Sequence, residues 1–513
     1  MDQIIGRSQA LVQSSGSLST AVLKALLTSG ALWAVWAIYK NRPKSSEPPR
    51  AHYSIPFIGH GLQLVRNPIA LLNECSEKYG DTFSILVFGQ WITVIGPSNV
   101  REVMRSPDDK LSFSDAVNHI IDIGFCFGDS TPLDRFHVAP MRKHLGKNLE
   151  RFVPRLCEAV EAAFSTHAPV SATTGTCIKE VTAFAYRAIA RTTSACMFEN
   201  KEFQESDEVR KMLFTVSVDA TFFSSLKRML PYFIACWKAR SKTRIFQNLQ
   251  LADEMFTPEV KRRRAEAERL GSDYVPPYDI MQWIIDHRDK NGEPYSDHDV
   301  GRRMLQVGFA SMLATANFTT HLLFDIAGYP HIQEMLQREQ DDIIKRFGST
   351  ITMEAVKEMH YLDACVRETL RLNGDPTNSF RLAMSDVTLS NGYFIPKGRL
   401  CSIHGYSIHS VPDVYGTNPR AYNPAQHLKG GSGGGAPKST FTSESFVVFG
   451  IGSHTCPGRF LATLEMKIVA IHALRNYSFR TLSGKRPANA PRNGMTMAPV
   501  DEPILFVPRS NVQ

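Results

Sequence analysis

The chain has 513 residues, of which 43% are hydrophobic, and a formal net charge of +8 from 58 basic and 50 acidic side chains. A chain of this length can bury a large core, and the absence of a repeat of about 20–50 residues argues against a solenoid or a propeller. No arginine-rich block and no basic run interleaved with aromatic residues is present, so nucleic acid is not an expected partner. The excess positive charge fits an anionic membrane surface or an acidic protein.

The nine cysteines lie scattered along the chain, and no two of them form a C-x-x-C pair. This pattern argues against a disulfide framework and against a zinc site built from clustered ligands. We therefore expect a reducing compartment and, for most of the cysteines, an ordinary place in the core.

An apolar stretch near the amino terminus predicts a membrane anchor. Ala21–Tyr39 is interrupted only by Lys24, and the basic flank that follows leaves the rest of the chain in the cytosol by the positive-inside bias. We predict a single-pass anchor over residues 1–40, a basic, proline-rich hinge over residues 41–53, and one large domain over residues 54–513.

A cleaved secretory signal is the competing interpretation of the same stretch. The apolar run is short and contains small residues such as Ala31, Ala34 and Ala37. However, the basic residues follow the run rather than precede it, and the cysteines argue against export. An uncleaved anchor is therefore preferred.

The body is predicted to be mainly α-helical with small β-sheets, an α+β class. Near its start, Thr82–Phe88 and Trp91–Ile95 are rich in β-branched and aromatic residues. They are separated by Gly89-Gln90, which predicts a β-hairpin with a two-residue turn.

Helical patterns follow the hairpin. Leu149–Phe164 and Ile178–Thr193 place apolar residues three and four apart, as amphipathic helices do. A longer helix is expected to start near Ser296, where Ser296 and Asp299 resemble a capping box, and to end at Gly328. At about 1.5 Å per residue it would extend over roughly 45 Å, enough to cross a domain.

Glu368 and Arg371 place a carboxylate and a guanidinium on one face of a helix that we expect to end at Asn373-Gly374. An exposed pair of opposite charges at this spacing is common and does not by itself indicate a function. The pair becomes informative through its position relative to the other motifs of the chain.

The composition shifts to Gly, Pro, Asn and Ser between residues 373 and 435, which predicts loops and minor sheet. Short strands are expected at Val387–Leu389, Tyr393–Ile395 and Leu400–Ile403. The glycine-rich run 430–435 is interpreted as an exposed insertion without a chemical role.

Cys456 lies between a glycine-rich loop and an apolar helix that is expected to run from Pro457 to about Leu474. At the amino end of a helix, the dipole and the free N–H groups lower the pKa of a thiol, and the resulting thiolate can bind a metal. A buried cysteine in an ordinary loop is the alternative.

The residues around Cys456 suit a flat ligand. Gly450, Gly452 and Gly458 allow the backbone to turn tightly and to approach such a ligand without a Cβ clash. Phe449 is expected to pack against the ligand or against the thiolate.

This block resembles the cysteine loop of the cytochrome P450 superfamily, F-x-x-G-x-x-x-C-x-G, at Phe449, Gly452, Cys456 and Gly458. The resemblance covers nearly the whole chain and implies the cytochrome P450 fold, a single large helical domain. It also implies haem b with Cys456 as the axial thiolate, which favours O–O bond cleavage.

Glu368 and Arg371 look like the superfamily's E-x-x-R helix, and residues 422–428 look like its downstream meander. In the family, Glu and Arg join an Arg of the meander in a buried triad that supports the haem loop. His427 stands where that Arg is expected, so the third member is altered.

The resemblance also implies which residues bind the haem propionates. They are Arg381, after E-x-x-R, and His454, two residues before Cys456. Arg142 is a further candidate, although Val138 replaces the tryptophan that the family carries four residues before this Arg. For Arg142, a solvated surface position is an equal alternative.

The long helix departs from the family's A-G-x-D-T-T motif. The matching segment is 310–315, in which Leu313 replaces the acid and Ala314 replaces the first threonine. Thr315 is the one residue of this segment whose hydroxyl aligns with the motif, so it is the expected proton relay. Asn317, Thr319 and Thr320 follow on the same helix and are the alternatives for this role.

The chain is most similar to microsomal cytochrome P450 enzymes of fungal secondary metabolism. That similarity implies a monooxygenase in the endoplasmic reticulum membrane, with its catalytic domain in the cytosol. It would take electrons from NADPH-cytochrome P450 reductase and oxidise a hydrophobic terpenoid, alkaloid or polyketide intermediate. An atypical reaction (oxidative coupling, desaturation or rearrangement) is the alternative, and a non-catalytic haem carrier or sensor is the least favoured one.

Overall fold

The computed structural model describes residues 45–128, 134–146, 148–169, 175–429, 436–492 and 496–509. The anchor predicted over residues 1–40 and the glycine-rich run 430–435 therefore lie outside the described residues. Among the helices that are described, none is both long and apolar enough to cross a membrane.

Helices make up most of the described chain, as predicted. Their bounds are α1 Gly61–Arg66, α2 Pro68–Tyr79, α3 Val100–Arg105, α4 Phe113–Ile121, α5 Ile123–Phe127, α6 Val138–Leu145, α7 Val153–His167, α8 Val181–Met197, α9 Lys201–Glu205, α10 Asp207–Met229, α11 Tyr232–Lys242, α12 Ile245–Leu270, α13 Ile280–Asp286, α14 Asp297–Gly328, α15 Pro330–Phe347, α16 Met353–Glu358, α17 His360–Asn373, α18 Gly405–Ile408, α19 Pro412–Tyr415 and α20 Arg459–Asn476.

The strands are short. Their bounds are β1 Thr82–Val87, β2 Gln90–Ile95, β3 Leu111–Ser112, β4 Thr176–Ile178, β5 Asn378–Ala383, β6 Val387–Thr388, β7 Phe394–Ile395, β8 Leu400–Ile403, β9 Tyr477–Thr481, β10 Asn489–Arg492, β11 Thr496–Pro499 and β12 Ile504–Pro508. The largest sheet has the order β1-β2-β8-β5-β3, a smaller one the order β4-β12-β9, and β10 pairs with β11 as a hairpin.

Contacts divide the chain into two units. The smaller unit comprises residues 1–48, of which 45–48 are described, and Thr388–Ile395. Within it, the Phe394 amide donates to the Ser46 carbonyl over 2.7 Å. The larger unit, residues 49–387 and 396–513, contains every candidate site residue.

Helix α14 runs through the core of the larger unit and packs against α8, α10, α12 and α20. The Ser296 hydroxyl caps it by accepting from the Asp299 amide over 3.1 Å, and the helix ends at Gly328. Both predicted ends are therefore confirmed. From Thr315 to Ala327 almost every residue is buried, as in a helix that is surrounded by the core.

The predicted β-hairpin is confirmed, but its turn lies one residue earlier than expected. Gln90 pairs with Val87, so the turn consists of Phe88 and Gly89, with φ angles of 46° and 82°. A two-residue turn that matches the twist of a hairpin needs positive φ at both positions, and Phe88 accepts that conformation beside Gly89.

Two predicted helix starts are wrong. The segment predicted over Leu149–Phe164 begins as a 3₁₀ turn and continues as α7, because Pro154 fits only the first turn of an α-helix. Ile178 belongs to β4, where it pairs with Ile504 of β12, and α8 begins only at Val181. In this case tertiary pairing prevails over the helical periodicity of the segment.

Candidate active site

The loop before α20 turns sharply because two of its glycines adopt left-handed backbone angles. Gly450 has a φ of 70° and Gly452 a φ of 74°, which any other residue would adopt only under strain. The Cys456 amide then donates back to the Phe449 carbonyl over 2.8 Å and closes the loop. The predicted tight turn at Gly450 and Gly452 is therefore present, whereas Gly458 has an ordinary helical φ.

Cys456 is a half-buried free cysteine. Burial raises the pKa of its thiol above the usual value, and the N–H groups of Gly458 and Arg459 and the Arg459 guanidinium offset this rise only in part. The prediction that Pro457 starts the helix is wrong, because Gly458 is the N-cap and donates its N–H group to the sulfur. The donors expected for a thiolate are nevertheless in place, and they fit one axial bond to a haem iron.

Arg381 and His454 each keep a buried nitrogen that no described residue pairs with. The guanidinium of Arg381 donates to the carbonyls of Phe380 and Met104 over 3.0 and 3.3 Å. Its Nε has no hydrogen-bond partner among the described residues. Nε2 of His454 lies 2.7 Å from Asp108 Oδ1, whereas its Nδ1 has no hydrogen-bond partner among the described residues. An unpaired buried polar group costs about 1–3 kcal/mol, so both nitrogens fit an absent polar ligand.

The two residues border the same aromatic ring. The Arg381 guanidinium and the His454 ring each lie 5.2 Å from the ring centre of Phe113. Burial lowers the pKa of Arg381 to about 10, so it stays a cation that fits a haem propionate. Burial and the charges of Arg381 and Arg135 lower the pKa of His454, so this ring would need the propionate's negative charge to become a donor at Nδ1.

Arg142 is solvent-exposed and nevertheless contacts the cysteine loop. Its Nη2 donates to the Ser453 carbonyl over 2.7 Å, and Arg135 donates to the same oxygen over 3.2 Å. Arg135 also pairs with Asp108 at 3.4 Å. Sequence reasoning missed Arg135 because no local motif marks it.

Glu368 and Arg371 form a fully buried ion pair on α17. Nε and Nη2 of Arg371 donate to the two carboxylate oxygens, each over 2.8 Å, in a bidentate geometry. The remaining Nη1 donates to the carbonyls of His409 and Pro419, each over 2.6 Å. The prediction that the two charges share a helix face is confirmed, and hydrogen bonds satisfy both charges of the buried pair.

His427 occupies the third position of this cluster. Its Nε2 lies 2.8 Å from Glu368 Oε2, and Gln426 Nε2 donates to Oε1 over 2.8 Å. Burial lowers the pKa of His427 more than the Glu368 contact raises it, so the ring is a neutral donor at neutral pH. Burial alone would raise the pKa of Glu368, but the hydrogen bonds from Arg371 and His427 bring it below its usual range.

His409 connects this cluster to the segment that precedes the cysteine loop, and Arg367 contacts the same segment; sequence reasoning missed both residues. The Val447 amide donates to His409 Nε2 over 3.1 Å, which requires a neutral ring, and burial accordingly lowers the pKa of His409 to about 3. Arg367 donates to the Phe441 carbonyl over 2.8 Å and lies over the Phe446 ring.

One face of α14 is accessible even though the helix lies in the core. Ala310 and Ala314, one turn apart, are exposed, Leu313 is half-buried, and Thr315 is buried with 5% of its surface accessible. The exposed methyl groups of Ala310 and Ala314 make this face of the helix apolar.

The polar residues that follow on α14 are already engaged. The hydroxyls of Thr319 and Thr320 donate to the carbonyls of Thr315 and Ala316, each over 2.8 Å. Asn317 donates from Nδ2 to the Met497 carbonyl of β11 over 3.0 Å.

Comparison with known proteins identifies the family of the chain. The cytochrome P450 family model matches residues 48–506. Cytochrome P450 monooxygenase 71 of Postia placenta is 26% identical over 467 residues, which cover 86% of this chain and 91% of the relative. Lanosterol 14-alpha demethylase of Cunninghamella elegans is 26% identical over 497 residues, which cover 89% and 90%. The solved structure of retinoic acid bound cyanobacterial CYP120A1 matches 91% of this chain and 100% of that chain at 18% identity, with a TM-score of 0.69.

The chain therefore belongs to the cytochrome P450 family and is an oxidoreductase of the monooxygenase type. The predicted mainly helical fold with small sheets is confirmed. The family and the fold imply haem with an axial cysteine thiolate, and Cys456 is the cysteine of the matching loop. When bound, the haem activates O₂ for insertion into the substrate.

The Glu368 cluster yields a graded prediction for haem retention. Glu368→Ala leaves Arg371 as a buried charge without its carboxylate partner, which typically lowers the free energy of unfolding by about 3–5 kcal/mol. We therefore expect this variant to fold poorly and to lose haem. Gln426→Ala removes one of several donors and should keep most of the haem, with His427→Ala in between. Haem per protein and the midpoint of thermal unfolding measure the order. A Glu368→Ala protein with full haem content and a defect only in turnover would contradict the structural role.

Proposed function

We propose that this monooxygenase oxidises a hydrophobic small molecule, an intermediate of secondary metabolism of the terpenoid, alkaloid or polyketide type. In this proposal O₂ is the oxidant and an NADPH-dependent cytochrome P450 reductase delivers the electrons. The observation that supports it best is the apolar, accessible face of α14 at Ala310 and Ala314 in the interior of a chain that also carries the cysteine loop. The fungal relatives, which are cytochrome P450 monooxygenases by name, are consistent with it.

The proposed roles of the site residues follow from their contacts. Cys456 binds the haem iron, and Arg381 and Arg142, with His454 when protonated, face the haem propionates. The loop conformation depends on Phe449, Gly450, Gly452 and Gly458, whereas Glu368 and Arg371 hold the loop in place without touching the reacting atoms.

Thr315 is the proposed proton relay, with Asn317 as a shifted substitute, because Leu313 and Ala314 carry neither an acid nor a hydroxyl. Water or substrate hydroxyls can share this task next to the exposed Ala314. The second candidate is a reaction that needs less proton delivery, such as oxidative coupling, desaturation or rearrangement, and the observation that favours it is the apolar character of this helix face.

Two variants with a control distinguish these candidates in the enzyme reconstituted with reductase, NADPH and a panel of apolar compounds. A positioned relay typically contributes about 10²–10⁴-fold to a proton-transfer step, so Thr315→Ala should release more hydrogen peroxide per NADPH, whereas Ala314→Thr should maintain or improve coupling to product. Thr320→Val, whose hydroxyl bonds the helix backbone, should leave the ratio unchanged.

The ratio of product to hydrogen peroxide per NADPH is the measurement. If Thr315→Ala and Ala314→Thr both keep the wild-type ratio, the Thr315 relay is wrong and the atypical chemistry gains support. If no compound is oxidised at the expense of NADPH and O₂ although the haem is present, the monooxygenase proposal fails.

We further propose that residues 1–40 anchor the chain in the endoplasmic reticulum membrane, that residues 41–53 form the hinge, and that residues 54–513 form the cytosolic catalytic domain. An exposed aromatic surface on α11 supports attachment to a membrane. Phe233 and Trp237 are 73% and 66% exposed there. Lys238, Arg240 and Lys242 of the same helix are also exposed, as basic residues are on helices that lie in a membrane interface.

Carbonate extraction tests the anchor. The full chain should stay in the membrane pellet at alkaline pH, because an apolar span is not released by breaking electrostatic contacts. A matched variant that starts after residue 40 should lose this resistance. Recovery of a secreted chain that is cleaved near Ala37 would instead show a signal peptide.

A further inference from the structure

A groove next to α20, called the α20 groove below, opens on the surface of the larger unit. It has a volume of about 280 Å³ and is bordered by the end of α6, the 3₁₀ turn before α7, α16, the start of α17, residues 438–440 and α20. None of its described lining residues belongs to α14, so it is separate from the apolar face of that helix. Its wall contains six apolar side chains, which are Leu145, Leu149, Met353, Val356, Phe460 and Leu464.

The buried charges in the α20 groove are already satisfied. Lys467 and Asp363 form an ion pair in which the side chains are only 13% and 16% exposed. The Asp363 carboxylate also accepts from the Ser439 amide over 2.8 Å and from the Ser439 hydroxyl over 2.6 Å. An apolar group that enters the groove therefore does not bury an unpaired charge.

The exposed rim of the α20 groove has an excess of one positive charge when His360 is not counted. Lys357 and Lys438 are exposed lining residues, and no described carboxylate forms a salt bridge with either of them. Against these two cations, Glu150 is the one described lining carboxylate without a cation partner. A bond from an ammonium to a carboxylate is stronger than one between neutral groups, so the rim favours a ligand with a single negative charge.

The α20 groove adjoins the cysteine loop. The Arg459 guanidinium lies over the ring of Phe460, 4.2 Å from its centre. Arg459 also donates from Nε to the carbonyl of Thr440, another lining residue, over 3.1 Å, and from Nη1 to the Cys456 carbonyl over 2.8 Å. One side chain thus connects the wall of the groove to the backbone of Cys456.

We infer that the α20 groove is a second binding site, which takes an amphipathic monocarboxylate of the fatty-acid type. The apolar chain of such a ligand packs against the apolar wall, and its carboxylate offsets the excess positive charge of the rim. The inference is independent of which substrate the enzyme oxidises, because the groove and the α14 face share no residue.

An acidic surface of a protein partner is the competing occupant of this rim. Such a surface would use the charges of Lys357 and Lys438 and would not need the apolar wall. The two occupants therefore differ in whether the length of an apolar chain matters for binding.

Calorimetric titration of the full-length holoenzyme with decanoate tests the site. The substrate side of the haem is first saturated with clotrimazole, an azole that binds the iron, so that only a second site can respond. We expect one decanoate per chain, and about tenfold weaker binding of octanoate, because each buried methylene contributes about fourfold at most.

Charge variants locate the carboxylate. Lys357→Glu and Lys438→Glu should each weaken decanoate binding by about threefold to tenfold, because an attraction between exposed charges becomes a repulsion. Lys179→Glu changes an exposed lysine that does not line the groove and should leave the Kd unchanged. The midpoint of thermal unfolding should be the same in all three variants, since the three side chains are exposed.

Four results would overturn the inference. They are no decanoate binding in the presence of clotrimazole, equal Kd values for octanoate and decanoate, an unchanged Kd in both Lys357→Glu and Lys438→Glu, and binding of decyltrimethylammonium as tight as that of decanoate. If decanoate does not bind and the two variants instead raise the KM for the reductase, the lysines serve a protein partner. A failure of the proposed function is distinguishable from these results, because it concerns oxidation of apolar compounds and not this titration.

Discussion

The buried carboxylate of Glu368 is the interaction on which the arrangement of the site depends. It accepts from Arg371 on its own helix and from the Asn423 amide, Gln426 and His427 of the meander. A buried charge in a medium of low dielectric is tolerated only when its lone pairs are satisfied, so all these donors must come together for the fold to form.

From this centre a chain of hydrogen bonds reaches the cysteine loop. Arg371 donates to the His409 carbonyl, and the ring of the same histidine accepts from the Val447 amide at the start of the loop. The position of Cys456 is thus coupled to a fully buried ion pair. Replacement of the family's third arginine by His427 conserves the contact with Glu368 through a neutral donor, which carries no extra positive charge into the core.

The site features that the sequence predicted are those with a local signature. The Ser296 cap, the shared face of Glu368 and Arg371, and the glycines before Cys456 each depend on residues a few positions apart. The partners that it missed are remote, since Arg381 contacts Met104 across 277 positions and Arg142 contacts Ser453 across 311. Such pairings depend on how sheets and helices dock, as the β4 pairing of Ile178 shows, and periodicity within one segment does not encode them.

The central claim is that Cys456 supplies the axial thiolate of a haem. The carbon monoxide difference spectrum of the reduced protein tests it most directly. Wild type and Cys401→Ser, a matched control for a cysteine buried in β8, should both give the thiolate-type Soret band, and Cys456→Ser should lose it. A Cys456→Ser protein that retains haem and the unaltered thiolate-type band would contradict the account.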